Sequence, residues 1–333
     1  MIVKFDSSWL YCGGIGRFSA ELSKRLQVIC FSLSNQPAKP INILKFLFKT
    51  AFFQKNNVVF SPSFIPPLFS RCPYIFTIHD LNHLDIKAND GFLKTIFYNY
   101  IIRIGCLRAE KILTVSDFSR RRIIEWSGVS PIKVFNVGNG VDDSFSNKIS
   151  FEMKTEHYFL CVSNRKLHKN EHRLIHAFAE SAINSNIKLV FTGEPNRDLL
   201  TVINELGIEG KVVFKGRVAD EDLPALYRGA MGLLFPSLYE GFGLPVVEAM
   251  ASGIPVLTSN TTSLPEVAGD AALLINPESV DEIRVGIERL VHDEALRAEL
   301  IAKGLERAKL FSWDAVAARV QAVLDEVTSQ YGK

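Results

Sequence analysis

Cysteine is sparse: Cys12, Cys30, Cys72, Cys106 and Cys161 are the five in 333 residues, scattered and with no C-x-x-C pair. An odd, dispersed set offers neither a disulfide framework nor a zinc knuckle, and it fits the reducing cytosol. Long apolar runs are missing as well. No window approaches the roughly 20 uncharged residues of a membrane span, and Asp6 stands where a secretory leader would need its apolar core. The expectation is a cytoplasmic protein that is neither secreted nor membrane-spanning. Low-complexity tracts and short-period repeats are also lacking, which excludes solenoids and disordered linkers. Net charge is nearly nil at +2, yet residues 1–150 carry 19 Lys+Arg against 10 Asp+Glu and the remainder 19 against 26. The first part is therefore +9 and the second −7, so the first would attract an anionic surface or acceptor, a statement about partners rather than fold.

What is present is an apolar fraction of 47% in a chain too long for one ordinary core, which implies two globular domains. Short β-rich runs alternate with helical patterns: "IVKF", "QVICF", "NVVFS", "YIFTI", "KILTV" and "IKVFNV", then "YFLCV", "IKLVFT", "KVVFKG", "GLLFPS", "IPVLTS" and "AALLIN". Such alternation predicts α/β architecture, parallel sheets with crossover helices. The two sets of six are separated by the polar, aperiodic stretch from Asn139 to Glu156. The predicted domains are two doubly wound units, 1–150 and 151–311, followed by a C-terminal helix, 312–333, returning to the first. In such sheets ligands bind at the carboxyl ends of the strands, so two facing domains would place a site in the cleft between them.

The segment "SLYEGFGLPVVEAMASGIPVLTS", Ser237 to Ser259, holds the densest chemistry. It reads as a strand end, a glycine loop and a helix with Pro245 near its start and Gly253 as its stop. Val246, Val247, Ala249 and Met250 would cover the inward faces, leaving Glu248 to point at whatever lies above the loop. A carboxylate there accepts hydrogen bonds from two vicinal hydroxyls at once, which suits a ribose. Glu240, on the loop, would hold hydroxyls of a second sugar, and the loop's N–H groups suit phosphate or sugar oxygens. The alternative is a pair of solvated acids at a helix start, worth at most about 1 kcal/mol each.

Three further segments bear on chemistry. "CVSNRKLHKNEHRL" places Arg165, Lys166 and Lys169 between a strand and a helix, where fixed cations stabilise a departing pyrophosphate; a solvated basic loop is the alternative. "DSSWLYCGGIGRFSAEL" sets Gly13, Gly14 and Gly16 between a strand and a helix, a phosphate loop or an ordinary tight turn. His79, in "YIFTIHDLNHLD", ends a strand and either faces a ligand or is satisfied by backbone. His168, His172 and His176 share a four-residue spacing, but the helix needs a solvent side and a metal is not expected. Two aromatic-rich helical patterns carry Lys45 and Lys49, and Lys94, Arg103, Arg108 and Lys111; they are either crossover helices or helices that lie on an anionic membrane.

The Glu240/Glu248 segment resembles the Glu-x7-Glu signature of retaining nucleotide-sugar glycosyltransferases of family 4, which have the GT-B fold of two Rossmann-like domains. The match continues through "NTTSLPEVAGDAALLINP", and "GGIGRFSAEL", "TIHDL", "VSDFSRR" and "GNGVD" fall in the family's order, so the resemblance covers nearly the whole chain. It implies that Glu248 binds the donor ribose, that Glu240 orients the sugar hydroxyls and that the Phe242 and Gly243 amides seat the sugar. It places Lys169 at the diphosphate lysine, Gly14 opposite the donor diphosphate and His79 at the reacting sugar. One departure stands out: the family's usual arginine position is Asn164 here, with Arg165 one place later. The implied reaction is front-face transfer of a hexose to a saccharide acceptor, lipid-linked and destined for a bacterial surface polysaccharide. GDP-mannose is the favoured donor; no metal or other cofactor and no nucleic acid is expected. A nucleotide-sugar epimerase, a phosphorylase or a non-catalytic sugar-nucleotide-binding module shares the fold.

Overall fold

The computed structural model describes residues 1–10, 13–34, 39, 41–54, 56–68, 70–86, 91–146 and 157–331. The chain divides into two compact units, Met1–Gly140 with Ser312–Lys333, and Val141–Phe311. The division thus falls at Gly140 rather than at 150, because Val141 already hydrogen-bonds to the Phe311 carbonyl at 2.9 Å. The expected boundary at residue 150 lies outside the described residues.

In the first unit each β-rich run forms a strand: β1 (Ile2–Asp6), β2 (Ile29–Phe31), β3 (Asn57–Ser61), β4 (Tyr74–Thr77), β5 (Lys111–Thr114) and β6 (Val134–Asn136). They form one parallel sheet in the order β2-β1-β3-β4-β5-β6. The helices are α1 (Gly13–Arg25), α2 (Asn42–Ala51), α3 (Asn82–Asp85), α4 (Phe92–Ile96), α5 (Arg103–Arg108) and α6 (Asp117–Ser127). A π-helical stretch, Phe97–Ile102, joins α4 to α5. One core cluster takes Val59, Phe76 and Ile112 from the sheet, Phe46 from α2 and Ile102 and Cys106 from the π-helical stretch and α5.

The second unit contains β7 (Tyr158–Cys161), β8 (Lys188–Phe191), β9 (Val212–Phe214), β10 (Gly232–Phe235), β11 (Val256–Ser259) and β12 (Leu273–Ile275). Its helices are α7 (Glu171–Glu180), α8 (Arg197–Glu205), α9 (Leu223–Arg228), α10 (Leu244–Ala251), α11 (Leu264–Ala268), α12 (Val280–His292) and α13 (Glu294–Ala308). The parallel order is β12-β11-β10-β7-β8-β9. The strand order therefore reverses between β7 and β10, the switch point at which open sheets of this kind bind ligands. Every residue of β7, β10 and β11 is buried, as strands covered on both faces must be.

The last helix, α14 (Trp313–Tyr331), belongs to the first unit. Its Trp313 packs on Gly140, where a Cβ would lie 2.6 Å from the indole, so only glycine permits the approach. Arg319 donates to the Val137 carbonyl at 2.8 Å, and Glu326 pairs with Lys111 at 2.6 Å. That pairing buries Lys111, which corrects its expected place among exposed basic residues.

Candidate functional site

The loops leaving β7 and β10 are stitched together at the switch point. After β7 the chain makes a 3-10 turn, Leu167–Lys169, and Asn170 adopts a left-handed conformation at φ 60° before α7. The Asn170 amide donates to the carbonyls of Pro236 at 2.9 Å and Pro277 at 2.6 Å. The His168 carbonyl accepts from the Leu238 N–H at 2.7 Å and the Ser237 hydroxyl at 3.0 Å. Between these anchors Lys169 has little choice of direction: its Nζ reaches Glu240 Oε1 at 2.6 Å and lies 4.9 Å from the Phe235 ring centre. A fixed ammonium thus sits at the carboxyl ends of the two central strands.

The glycine loop is held from the β11–α11 connection. Thr262 accepts the Glu240 N–H at 3.2 Å, and the Ser263 hydroxyl lies 2.9 Å from the Glu240 carbonyl and 3.0 Å from that of Phe242. Thr262 holds φ 58°, unusual for a β-branched residue, and so its conformation is set by these contacts. Gly243 turns into α10 at φ 105°, where a Cβ would meet Leu264 Cδ2 at 2.6 Å. The N–H groups of Phe242 and Gly243 donate to no described residue, as expected of groups heading a helix. The Phe242 ring is buried edge-on against Phe311.

Glu248 is only 3% exposed, so its carboxylate lies inside the second unit rather than in bulk solvent. From Val246 to Ala251 every residue of α10 is buried, and Glu248 Oε2 accepts the Tyr227 hydroxyl at 2.7 Å. A carboxylate kept in such surroundings must be hydrogen-bonded. Neither Tyr227 nor the Thr262–Ser263 strap was found from sequence; the hydroxyl-rich "NTTS" run was the one available signal for the strap.

Arg165 takes a different direction from Lys169. Its guanidinium donates to the Glu171 carboxylate and to the carbonyls of Thr192, Gly193 (3.2 Å) and Glu194 (2.8 Å). It also lies 5.2 Å from the ring centres of Phe191 and Phe214. These donors go to the scaffold, where Arg165 ties the segment after β7 to the one after β8. His168 lies in the turn before α7, off the helix that carries His172 and His176. Among the described residues no group of His, Cys, Asp or Glu is placed to hold a metal ion.

In the first unit His79 Nε2 lies 3.0 Å from the Pro62 carbonyl, which can only accept, so Nε2 carries the proton and Nδ1 the lone pair. Burial lowers its pKa and keeps the ring neutral. Gly13 and Gly14 form the exposed first turn of α1 rather than a free loop, with Gly13 at φ 58°. At the carboxyl end of β1, Asp6 is fully buried; Ser8 supplies its Oδ1 with N–H and hydroxyl donors at 3.0 and 2.6 Å. Oδ2 has no partner among the described residues, and burial raises the pKa to about 6.

Comparison with known proteins follows the same division of the chain. The profile of "Glycosyl transferases group 1" matches residues 142–307, and that of "Glycosyltransferase Family 4" residues 30–145. O-antigen chain mannosyltransferase B of Escherichia coli is 36% identical over 275 residues, 78% of this chain and 72% of that protein. The serotype-specific mannosyltransferase WbdA of Escherichia coli is 33% identical over 224 residues, but the match spans 62% of this chain and only 27% of WbdA. Among solved structures, sucrose-phosphate synthase of Thermosynechococcus elongatus superposes with a TM-score of 0.82 at 17% identity, over 99% of this chain and 100% of that one. Anabaena HepE, solved with UDP and glucose, gives 0.79 at 17% identity, over 98% of this chain and 100% of that one. At those identities the two structures speak for the GT-B fold alone.

Proposed function

The chain belongs to glycosyltransferase family 4, and from that membership we propose that it moves a hexose, mannose first, from a nucleoside diphosphate sugar to a saccharide acceptor with retention at the anomeric carbon. The observation that carries this reading is the Lys169–Glu240 pair at the β7/β10 switch point, with Glu248 one turn into the following helix. Lys169 meets the diphosphate and offsets the charge that grows as it leaves. Glu240 accepts from hydroxyls of the donor sugar, and the Phe242 and Gly243 N–H groups donate to its oxygens. Glu248 receives the ribose hydroxyls. His79, in the first unit, is assigned a sugar-hydroxyl contact through its neutral Nδ1, and Gly14 the approach to phosphate at the head of α1. In the front-face step the acceptor oxygen bonds to the anomeric carbon on the side from which the diphosphate departs. The acceptor proton passes to the leaving phosphate oxygen. Lys169 supplies the positive charge in this scheme, so no metal is required.

The names of the similar mannosyltransferases support mannose as the sugar and O-antigen chain synthesis as the setting. The test is direct. The purified protein is heated with GDP, UDP and dTDP in turn; a nucleotide at 100 times its Kd adds about 2.7 kcal/mol to stability. GDP is expected to raise the midpoint most, and GDP-mannose to release GDP with a saccharide acceptor present, giving the α-anomer by NMR. If no nucleotide stabilises the protein, the reading fails; if UDP alone does, mannose from GDP-mannose is replaced by another donor.

Membrane contact by the first unit completes the proposal, with a lipid-linked acceptor. The inner faces of α2 and α5 cover the sheet through Phe46 and Cys106. Exposed apolar side chains remain at Leu44 and Phe48 on α2, Phe52 just after it and 87% exposed, Leu93 on α4, Tyr100 in the π-helical stretch and Leu107 on α5. Exposed Lys45, Lys49, Lys94, Arg103 and Arg108 accompany them. Apolar stripes edged by cations suit an anionic lipid surface, and no helix among the described residues is long and apolar enough to cross a membrane.

A further inference from the structure

Tyr227 closes the last turn of α9 and has no exposed surface, although it carries a polar hydroxyl. The hydroxyl donates to Glu248 Oε2 at 2.7 Å, and the ring is met edge-on by Phe145 at 5.6 Å. Phe145 is itself 2% exposed and lies in a 3-10 turn, Asp143–Phe145. Two hydrogen bonds to Ser144 hold that turn: Asp142 accepts the Ser144 N–H at 2.9 Å, and Arg228 donates to the Ser144 carbonyl at 2.8 Å. Buried ring and bonded hydroxyl together hold the phenol against the Glu248 carboxylate. The terminal torsion of a glutamate is broad, so a carboxylate that must receive two vicinal hydroxyls needs something to set its plane. Holding Oε2 sets the direction of Oε1.

We infer that Tyr227, backed by Phe145, is a positioning residue that orients Glu248 and gives the nucleoside site its discrimination between ribose and 2′-deoxyribose. The inference rests on the proposed ribose role of Glu248. A correctly turned carboxylate accepts both hydroxyls, and a nucleotide lacking one leaves a buried acceptor short of a donor, which is the condition for strong discrimination. Removing the phenol hydroxyl takes away one of the bonds that fix the carboxylate plane, and the second hydroxyl gains less from being present.

The experiment measures binding of GDP, 2′-deoxy-GDP, UDP and 2′-deoxy-UDP to the full chain by calorimetry. The proteins compared are the parent, Tyr227→Phe, Glu248→Gln and the double variant. The parent is expected to prefer the ribonucleotide by roughly tenfold or more, and Tyr227→Phe to lose most of that preference. A Tyr227→Phe change on the Glu248→Gln background should alter nothing further. A merely structural tyrosine would weaken both nucleotides equally and leave their ratio unchanged, and that result overturns the inference. If Glu248→Gln also preserves the ratio, the ribose reading of Glu248 falls; if it erases the ratio while Tyr227→Phe does not, only the role of Tyr227 falls. Phe145→Leu keeps the hydroxyl but loosens the ring, so a partial loss of preference is expected from it and an unchanged ratio counts against the inference, even if Tyr227→Phe does not fold.

Discussion

Lys169 Nζ and Glu240 Oε1 stand 2.6 Å apart with each side chain 13% exposed, an ion pair drawn from the two loops of the strand-order reversal. Removing the lysine takes away the preorganised charge and leaves the carboxylate without this partner. Lys169→Ala is expected to lose about 2 to 4 kcal/mol of transition-state stabilisation, read as a fall in kcat/KM. Kinetics like those of the parent would return Lys169 to a structural ion pair.

The two glutamates should separate by kinetic parameter. Glu248→Ala is expected to weaken nucleotide binding and raise KM, whereas Glu240→Gln chiefly lowers kcat while the donor still binds. The measurement is nucleotide affinity by calorimetry beside steady-state kinetics. Equal effects of both changes on both parameters would undo the division of roles.

If Lys169 carries the proposed cationic contact, EDTA leaves the transfer rate unchanged. A rate abolished by chelator and restored by Mn²⁺ would give that role to a metal ion.

Asp6 gives stability a pH dependence of its own. Its pKa in the folded protein is about 6 against an ordinary 3.8, so folding favours the neutral acid. This contribution is fully present below about pH 4 and is lost as the pH rises through 6, a loss of about 3 kcal/mol at most. Asp6→Asn stays neutral throughout. The difference in urea midpoint between Asp6→Asn and the parent should therefore shift in favour of the variant between pH 4 and pH 7. Parallel profiles would mean that Asp6 does not titrate in that window.

On vesicles, the protein is expected to co-sediment with anionic lipid, to release as salt rises and to bind more weakly after Lys45→Glu with Lys49→Glu. Each basic side chain near the surface contributes about 1 kcal/mol. Failure to bind any vesicle would remove the membrane from the proposal and with it the argument for a lipid-linked acceptor.

The sheet framework was legible because each strand is a short run of branched or aromatic residues between turns: all twelve quoted runs are strands. Burial on both faces writes itself into composition that plainly. The site was legible only where one residue type has one use, as with Gly243 at φ 105° ahead of Pro245. Helical spacing gives Glu248 a direction toward the loop but carries no information about α9, which supplies Tyr227 to its carboxylate. The bonding of Arg165 was hidden for a similar reason. Its partners Thr192, Gly193 and Glu194 are a strand away, and a positive charge after a strand looks the same whether it faces a phosphate or its own backbone. The "GGIG" run looks like a loop in the sequence, yet Gly13 and Gly14 already lie in the first turn of α1.

The return of α14 has a consequence for how the polypeptide is made. Phe18 meets Trp313 across 6.3 Å, Lys111 waits for Glu326, and the Val137 carbonyl for Arg319. Until the ribosome has delivered all of Val141–Phe311, the unit that begins the chain lacks the helix that seals it. The unit encoded second holds all of its strands and can reach its native packing before the first. A nascent chain halted near residue 311 would thus leave α1 without its cover from α14, exposed to the chaperones of the cell.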